Sequence, residues 1–376
     1  MTKICIISHF AYGAFAGGKE GHAGGVERQT TLMANWLSEH GYRVSLITWD
    51  EGQADGADLN GIVNYKLCKQ SDGIPIVRFF YPRWTSLLHA LIRSDADLYY
   101  HNCAEYVTGQ VALWCRLNRR KFIFSVPSDP DCDSRLPKMK SFREKFLYKY
   151  GLRNASKIIV QTQTQQAMLE SGFGLSSTVI PMPCPTPQKP ESENVNEPVV
   201  RAGTVLWIGR ISKEKQLELL LDVAETLPDI QFVVAGKPKQ TDDYVKHLLD
   251  RAQTLDNVKM LGMVPRKKMD DLYSQASLLC CTSHYEGFPN TFLEAWSHGL
   301  PVISTVDPDG VINRYGLGVT ADQREKIADA INALFGSQEM LQTYSTNARS
   351  YFEKYHTLDS SMEKFDEVFM QALELE

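Results

Sequence analysis

The sequence predicts two doubly wound α/β halves joined by a linker, and three observations carry that expectation. Short runs rich in Ile, Val, Phe and Tyr alternate with helical patterns along the chain. The alternation breaks once, in a proline-dense stretch, and then resumes. Strands alternating with helices imply parallel sheets covered on both faces. At 376 residues the chain is also long for one core, so two domains are expected.

In the first half, strands are expected at 3–8, 44–48, 97–100, 121–126 and 157–161. Helical patterns lie between most of them. The clearest, 27–40, is closed by Gly41, a residue suited to a helix end. Prolines at 181, 183, 185, 187, 190 and 198 then deny the backbone the donors a packed element needs. Strands resume at 204–208, 230–235, 258–261, 278–282 and 301–305. The expected division is 1–182, a Pro-rich linker at 183–200, a second half at 201–357, and a last helical stretch at 358–376. Ligands of doubly wound folds sit outside the carboxyl ends of the strands, so a cleft between the halves is the expected place for chemistry.

Composition excludes several classes. With 43% hydrophobic and 23% charged residues the chain reads as an ordinary globular protein. A net charge of −5 argues against a nucleic-acid partner held by global charge. No run approaches the ~18 apolar residues of a spanning helix. The first residues enter a strand at once, with an apolar run too short for a signal peptide. Eight cysteines, at 5, 68, 103, 115, 132, 184, 280 and 281, form no C-x-x-C pair. That pattern suits buried free thiols in a reducing cytoplasm.

The most informative stretch runs from Glu286 through Gly287, Phe288, Pro289, Asn290 and Thr291 to Glu294. It reads as a turn after a strand, followed by the first turn of a helix. Unpaired amides and the positive end of a helix dipole favour an anion there. The flanking carboxylates suit ligand hydroxyls, and phosphate with hydroxyls describes a nucleotide-sugar. Two plainer readings stand beside it: a capping box formed by Thr291 and Glu294, and a loop acid at Glu286. A second phosphate device follows the 204–208 strand. Gly209 allows a close turn, Arg210 presents a planar fork, Ser212 is a candidate N-cap, and Lys215 offers a mobile charge. Together the two cations suit a departing diphosphate; alone, each is equally an exposed cation at a helix start. A Gly-rich loop between the first strand and helix nearly spells a P-loop at Gly13, Gly18 and Lys19. Glu20 stands where a Mg²⁺-binding hydroxyl is required, which rejects that reading.

Gly24-Gly25-Val26-Glu27, Gly209-Arg210 with Lys215, and Glu286 to Glu294 followed by Ala295 and Gly299-Leu300-Pro301-Val302 resemble the retaining glycosyltransferases of family 4, the group 1 glycosyltransferases. The resemblance runs from about residue 3 to the end and is stronger in the second half. It implies a GT-B fold with an acceptor-side first domain, a donor-binding second domain, and a last helix returning to the first. It also implies that Arg210 and Lys215 hold the donor diphosphate, Glu286 the donor-sugar hydroxyls and Glu294 the ribose. Amides at Phe288–Thr291 would meet sugar or phosphate, Gly24 and Gly25 would approach the diphosphate, and Val264 would lie by the nucleobase.

The chain departs from the family pattern at two places. Many members carry a histidine after the strand matching 121–126, where this chain reads Ser125-Val126-Pro127-Ser128-Asp129. Asp129 is the candidate for that role. His9 and His101 also fall at strand ends, where a structural role is the commoner one. The glycine that often follows the donor lysine is Gln216.

No metal or other cofactor is expected. Asp129, Asp131 and Asp133 resemble the start of a calcium loop, but Ser134 and Lys140 replace its required Gly and Glu. Arg210 and Lys215 supply the cationic role of a metal. The segment 136–153 is basic, with Phe142, Phe146, Leu147 and Tyr150 at helical spacing. It fits either contact with an anionic membrane or a core-facing stripe beneath a solvated face. The resulting expectation is a retaining, metal-independent hexosyl- or N-acetylhexosaminyl-transferase using a nucleotide-sugar, with UDP favoured over GDP. Its acceptor would be a glycan or lipid-linked glycan of cell-surface polysaccharide or lipopolysaccharide, met at the cytoplasmic face of a membrane. The alternative is a non-catalytic nucleotide-sugar-binding scaffold.

Overall fold

The computed structural model describes residues 1–15, 25–187, 203–238 and 242–375. The chain divides into two compact units, Met1–Pro183 with Asp359–Glu376, and Cys184–Leu358.

The first unit is built on eight strands: β1 (Lys3–Ile7), β2 (Arg43–Thr48), β3 (Ala57–Leu59), β4 (Ile62–Lys66), β5 (Leu98–His101), β6 (Lys121–Ser125), β7 (Lys157–Val160) and β8 (Thr178–Val179). Their order is β3-β4-β2-β1-β5-β6-β7-β8. All neighbours run parallel except β3, which is antiparallel to β4. The central strand Lys-Ile-Cys-Ile-Ile is apolar at successive positions because helices cover both faces. On one face Cys5, Ile7, Tyr99 and Phe124 pack with Val107, Val111 and Tyr148 from helices. The last helix, Leu358–Glu374, belongs to this unit and buries Met362, Phe365 and Phe369. Tyr100 packs against both phenylalanines, and Trp36 Nε1 donates to Asp359 Oδ1 at 2.9 Å.

The second unit carries β9 (Thr204–Ile208), β10 (Gln231–Ala235), β11 (Val258–Gly262), β12 (Leu278–Cys281), β13 (Val302–Ser304) and β14 (Gly318–Thr320). The order is β11-β10-β9-β12-β13-β14, every pair parallel. Its core gathers Val205, Trp207, Leu220, Phe232, Leu278 and Ile331. Two parallel-sheet α/β bodies are thus the architecture that the alternation predicts.

Four strands were not expected. β3 and β4 form a hairpin across Asn60-Gly61, with Leu59 paired to Ile62 and positive φ at both turn residues (56° and 88°). That dipeptide is a strong hairpin signal. β8 and β14, at two and three residues, are too short to leave a pattern. Most of the expected linker, residues 188–200, lies outside the described residues. Its described beginning is pinned, since the Cys184 N–H donates to the His356 carbonyl at 2.9 Å. All eight cysteines are free thiols and six are buried. No helix among the described residues is long and apolar enough to cross a membrane.

Candidate active site

In the second unit the carboxyl ends of β9, β10 and β12 are tied together before any side chain reaches outward. β9 ends at Gly209, whose N–H donates to the Ala235 carbonyl at 3.1 Å. β10 ends at Gly236, where a Cβ would lie 1.8 Å from the Gly209 oxygen, so only glycine permits this approach. Ser212 then stays extended, and one 3-10 turn, Lys213–Lys215, follows. Ser212 occupies the cap position but its side chain makes no cap hydrogen bond, which corrects the N-cap expectation. The first α-helix begins later, at Leu217.

Two bonds to the end of β12 fix the Lys215 turn. Thr282 Oγ1 donates to the Lys215 carbonyl at 2.7 Å and accepts from Trp207 Nε1 at 3.0 Å. The His284 N–H donates to the Glu214 carbonyl at 2.9 Å. These bonds carry Lys215 to Glu286, and the ammonium and carboxylate form a part-buried ion pair. The two residues are 71 positions apart in sequence. Arg210 is exposed, and its guanidinium makes no ion pair among the described residues. Beside the pair, burial first and the Glu286 charge second push the Cys281 thiol pKa up, keeping it protonated.

The turn at Glu286–Pro289 is anchored by its aromatic residue. Phe288 packs edge-on to Trp296 (6.0 Å between centroids) and against His356 (5.2 Å). The helix Asn290–Ser297 starts immediately after Pro289. Thr291 lies inside this helix and is not its cap, so no capping box forms with Glu294. Glu294 is buried instead, and its Oε1 accepts from Arg266 Nη1 at 3.0 Å. A buried carboxylate needs a partner, and the half-exposed Arg266 guanidinium supplies one. Arg266 opens the turn Arg266–Lys268 and is two residues beyond Val264, which lies half-buried on the loop after β11. Sequence reasoning missed Arg266, because nothing local links it to an acid 28 positions away. Gly287 and Asn290 are half-buried within the same turn and helix start.

In the first unit Gly25 opens the helix Gly25–Glu39, whereas Gly24 lies outside the described residues. Asp129 follows β6, and its Oδ1 accepts from Gln165 Nε2 at 2.9 Å. The neighbouring acids go to other partners: Asp131 to the Ser128 hydroxyl at 2.5 Å, Asp133 to Arg135. The two histidines at the ends of β1 and β5 are joined by a residue the sequence did not single out. His9 Nδ1 donates to Glu105 Oε1 at 2.9 Å, and His101 Nε2 lies 3.8 Å from the same oxygen. His101 Nδ1 lies 2.9 Å from the Ile7 carbonyl. A carbonyl only accepts, so Nδ1 carries the proton. Burial holds the His101 pKa down at about 4, leaving the ring neutral. For Glu105 burial pushes upward, but His9, His101 and Arg83 outweigh it and hold the carboxyl below its ordinary value. Glu105 is the N-cap residue of Tyr106–Leu117 without a side-chain cap bond; its carboxylate serves His9 instead.

Comparison with known proteins identifies the family and the fold. The family model described as "Glycosyl transferases group 1" matches residues 188–351, and "Glycosyltransferase Family 4" matches 23–186. The amylovoran biosynthesis glycosyltransferase AmsD of Erwinia amylovora is 22% identical over 343 residues, which is 87% of this chain and 91% of that protein. Among solved structures, Anabaena HepE in complex with UDP and glucose superposes with a TM-score of 0.76 at 18% identity, covering 98% of this chain and 100% of HepE. Sucrose-phosphate synthase from Thermosynechococcus elongatus gives 0.80 at 20% identity, covering 99% of each chain. With two parallel-sheet units and both family models in sequence along it, the chain belongs to the group 1 glycosyltransferases of the GT-B fold.

Proposed function

We propose that the chain is a retaining, metal-independent glycosyltransferase that moves a hexosyl or N-acetylhexosaminyl group from a nucleotide diphosphate to a hydroxyl. UDP is favoured as the base, and the acceptor is a glycan or lipid-linked glycan of cell-surface polysaccharide. One observation carries the reading: Lys215 and Glu286, far apart in sequence, meet at the carboxyl ends of β9 and β12, beside the start of the Asn290–Ser297 helix. The UDP in the HepE structures and the amylovoran role named for AmsD support the choice of donor and pathway class.

In this reading the diphosphate takes Lys215 and Arg210 as counter-charges, supported by the helix N-terminus. Engaging Lys215 releases the Glu286 carboxylate to accept from donor-sugar hydroxyls. Glu294 accepts from the ribose hydroxyls, and Val264 lines the base. The acceptor oxygen attacks the anomeric carbon on the face that the phosphate leaves. The C–O bond to phosphate breaks as the new C–O bond forms, and the departing phosphate oxygen takes the acceptor proton. Cations preorganised around that oxygen lower the barrier. Asp129, in the first unit, is assigned to an acceptor or sugar hydroxyl.

The test is NMR observation of UDP- and GDP-sugars incubated with the protein and candidate acceptors. Transfer from a UDP-sugar with the donor's anomeric configuration kept is expected, and it should fall sharply in Glu286→Gln. Inversion of configuration sinks the retaining assignment. Undiminished transfer by Glu286→Gln sinks the site assignment.

A further inference from the structure

We infer that Trp207 and Thr282 are positioning residues of the second unit, a buried relay that holds Lys215 in place where its backbone would otherwise relax. Both side chains are buried, so they act through the residues they hold. This rests on the proposed contact between Lys215 and the donor diphosphate.

Every hydrogen bond in the relay has a forced direction. An indole N–H only donates, and a carbonyl only accepts. The Thr282 hydroxyl therefore accepts from Trp207 Nε1 at 3.0 Å and aims its single proton at the Lys215 carbonyl, 2.7 Å away. No other rotation of the hydroxyl serves both partners. The same indole also floors the preceding turn, since a Cβ on Gly209 would lie 3.2 Å from Trp207 Cη2. One ring thus braces the backbone on both sides of 210–215, directly at Gly209 and through Thr282 at Lys215.

The need for a brace lies one residue further on. Gln216 has φ 46° and ψ 52°, a left-handed conformation that a side chain disfavours, and it makes no side-chain cap bond. A peptide unit moves as one plane, so the simplest relief is a flip of the plane between Lys215 and Gln216. The flip changes ψ of the first residue and φ of the second together. The Lys215 carbonyl belongs to that plane, and the Thr282 bond opposes the flip directly. The plane before it is held by the His284 N–H, which donates to the Glu214 carbonyl at 2.9 Å.

The clamping segment is itself tied down. Thr305 Oγ1, just past β13, donates to the Ser283 carbonyl at 2.6 Å. Glu286 stands four residues after Thr282 on the same segment, so the clamp sets the approach of both members of the Lys215–Glu286 pair. A flipped plane would carry Lys215 away from Glu286 and from any anion there. Glu294 and Val264 sit on other segments and would keep their places. The relay therefore governs the phosphate end of a nucleotide and not its nucleoside end.

Calorimetric titration of the full chain with UDP, beside NMR titration with uridine, tests this. Thr282→Val should bind UDP about five- to tenfold more weakly than the wild type, and uridine equally well. Thr282→Ser keeps the hydroxyl and should match the wild type. Gln216→Gly removes the reason to flip and should bring Thr282→Val back to within about twofold. On a Lys215→Ala background Thr282→Val should cost nothing more, because the clamp acts through that lysine. Thr282→Val also leaves the buried indole donor without an acceptor, so Trp207→Phe/Thr282→Val is the second variant, with the same loss of UDP affinity expected. Wild-type UDP affinity in both valine variants overturns the inference and leaves the donor reading standing. A loss that Gln216→Gly does not restore, or that uridine shares, also overturns it, in favour of general loosening. Wild-type UDP affinity in Lys215→Ala removes the donor reading itself, and the inference with it.

Discussion

Lys215 and Glu286 each hold the other in the conformation a donor would meet. In the proposed function the lysine stands opposite the departing diphosphate, so Lys215→Ala should lower kcat/KM by about 10²–10³-fold, measured with the best donor. A wild-type rate in that variant would show that the cation solvates the surface and nothing more. Glu286, Glu294 and Lys215 were legible because each stands at a predicted strand end or helix start. Arg266 and Glu105 were not, because ion pairing across 28 or 96 residues leaves no local pattern. His101 carries a prediction of a different kind. Its ring titrates near pH 6.5 when unfolded and at about 4 when folded. The depressed value means its contribution is complete above pH 6.5 and is lost as pH falls toward 4, up to about 3 kcal/mol. Glu105, held below its ordinary value chiefly by His9, faces both imidazoles through one carboxylate oxygen. Urea unfolding at pH 7 and pH 5 should therefore show a drop in the wild type that shrinks in His101→Gln. An equal drop in both would assign the pH dependence elsewhere.

The elements show where local rules and tertiary demand part. Gln216 sits between the Lys213–Lys215 turn and the helix that follows, at φ 46° and ψ 52°, a left-handed conformation costly for a residue with a Cβ. The glycine expected from the family pattern is thus explained by backbone geometry, and this chain tolerates the strain. Gln216→Gly should raise stability by up to about 1 kcal/mol in chemical denaturation, the relief of strain being partly offset by the entropy of glycine. Loss of stability would mean that the Gln216 side chain makes a contact worth more than the strain. The crossing of the helices Tyr106–Leu117 and Phe142–Arg153 behaves oppositely. Gly151→Ala puts a methyl within 2.8 Å of the Thr108 backbone and should destabilise by about 1–3 kcal/mol. Strands buried on both faces were legible as continuous apolar runs, and ten of them fall where the pattern puts them. The β3–β4 hairpin is legible only at its turn, in Asn60-Gly61, because its two strands are short. The helix starts at Asn290, so the alternative of a capping box at Thr291 is not what forms, and Phe288 just before it packs on Trp296 and His356.

At the scale of the whole molecule, the last helix is the long-range feature that local patterns least reveal. Its apolar side is readable, but the surface it covers was implied only by the family resemblance. Phe369 is fully buried and packs on Tyr100 of β5, so Phe369→Ala should cost about 3–5 kcal/mol in stability of the first unit. A change below about 1 kcal/mol would mean the helix adds little to that unit's core. The donor reading of the second unit is the account's central claim, and calorimetric titration with UDP tests it most directly. The account predicts binding by the wild type, weakened about tenfold or more in both Lys215→Ala and Glu294→Ala as charge-assisted hydrogen bonds are lost. A wild type that does not bind UDP, or variants that bind it as tightly as the parent, would contradict it.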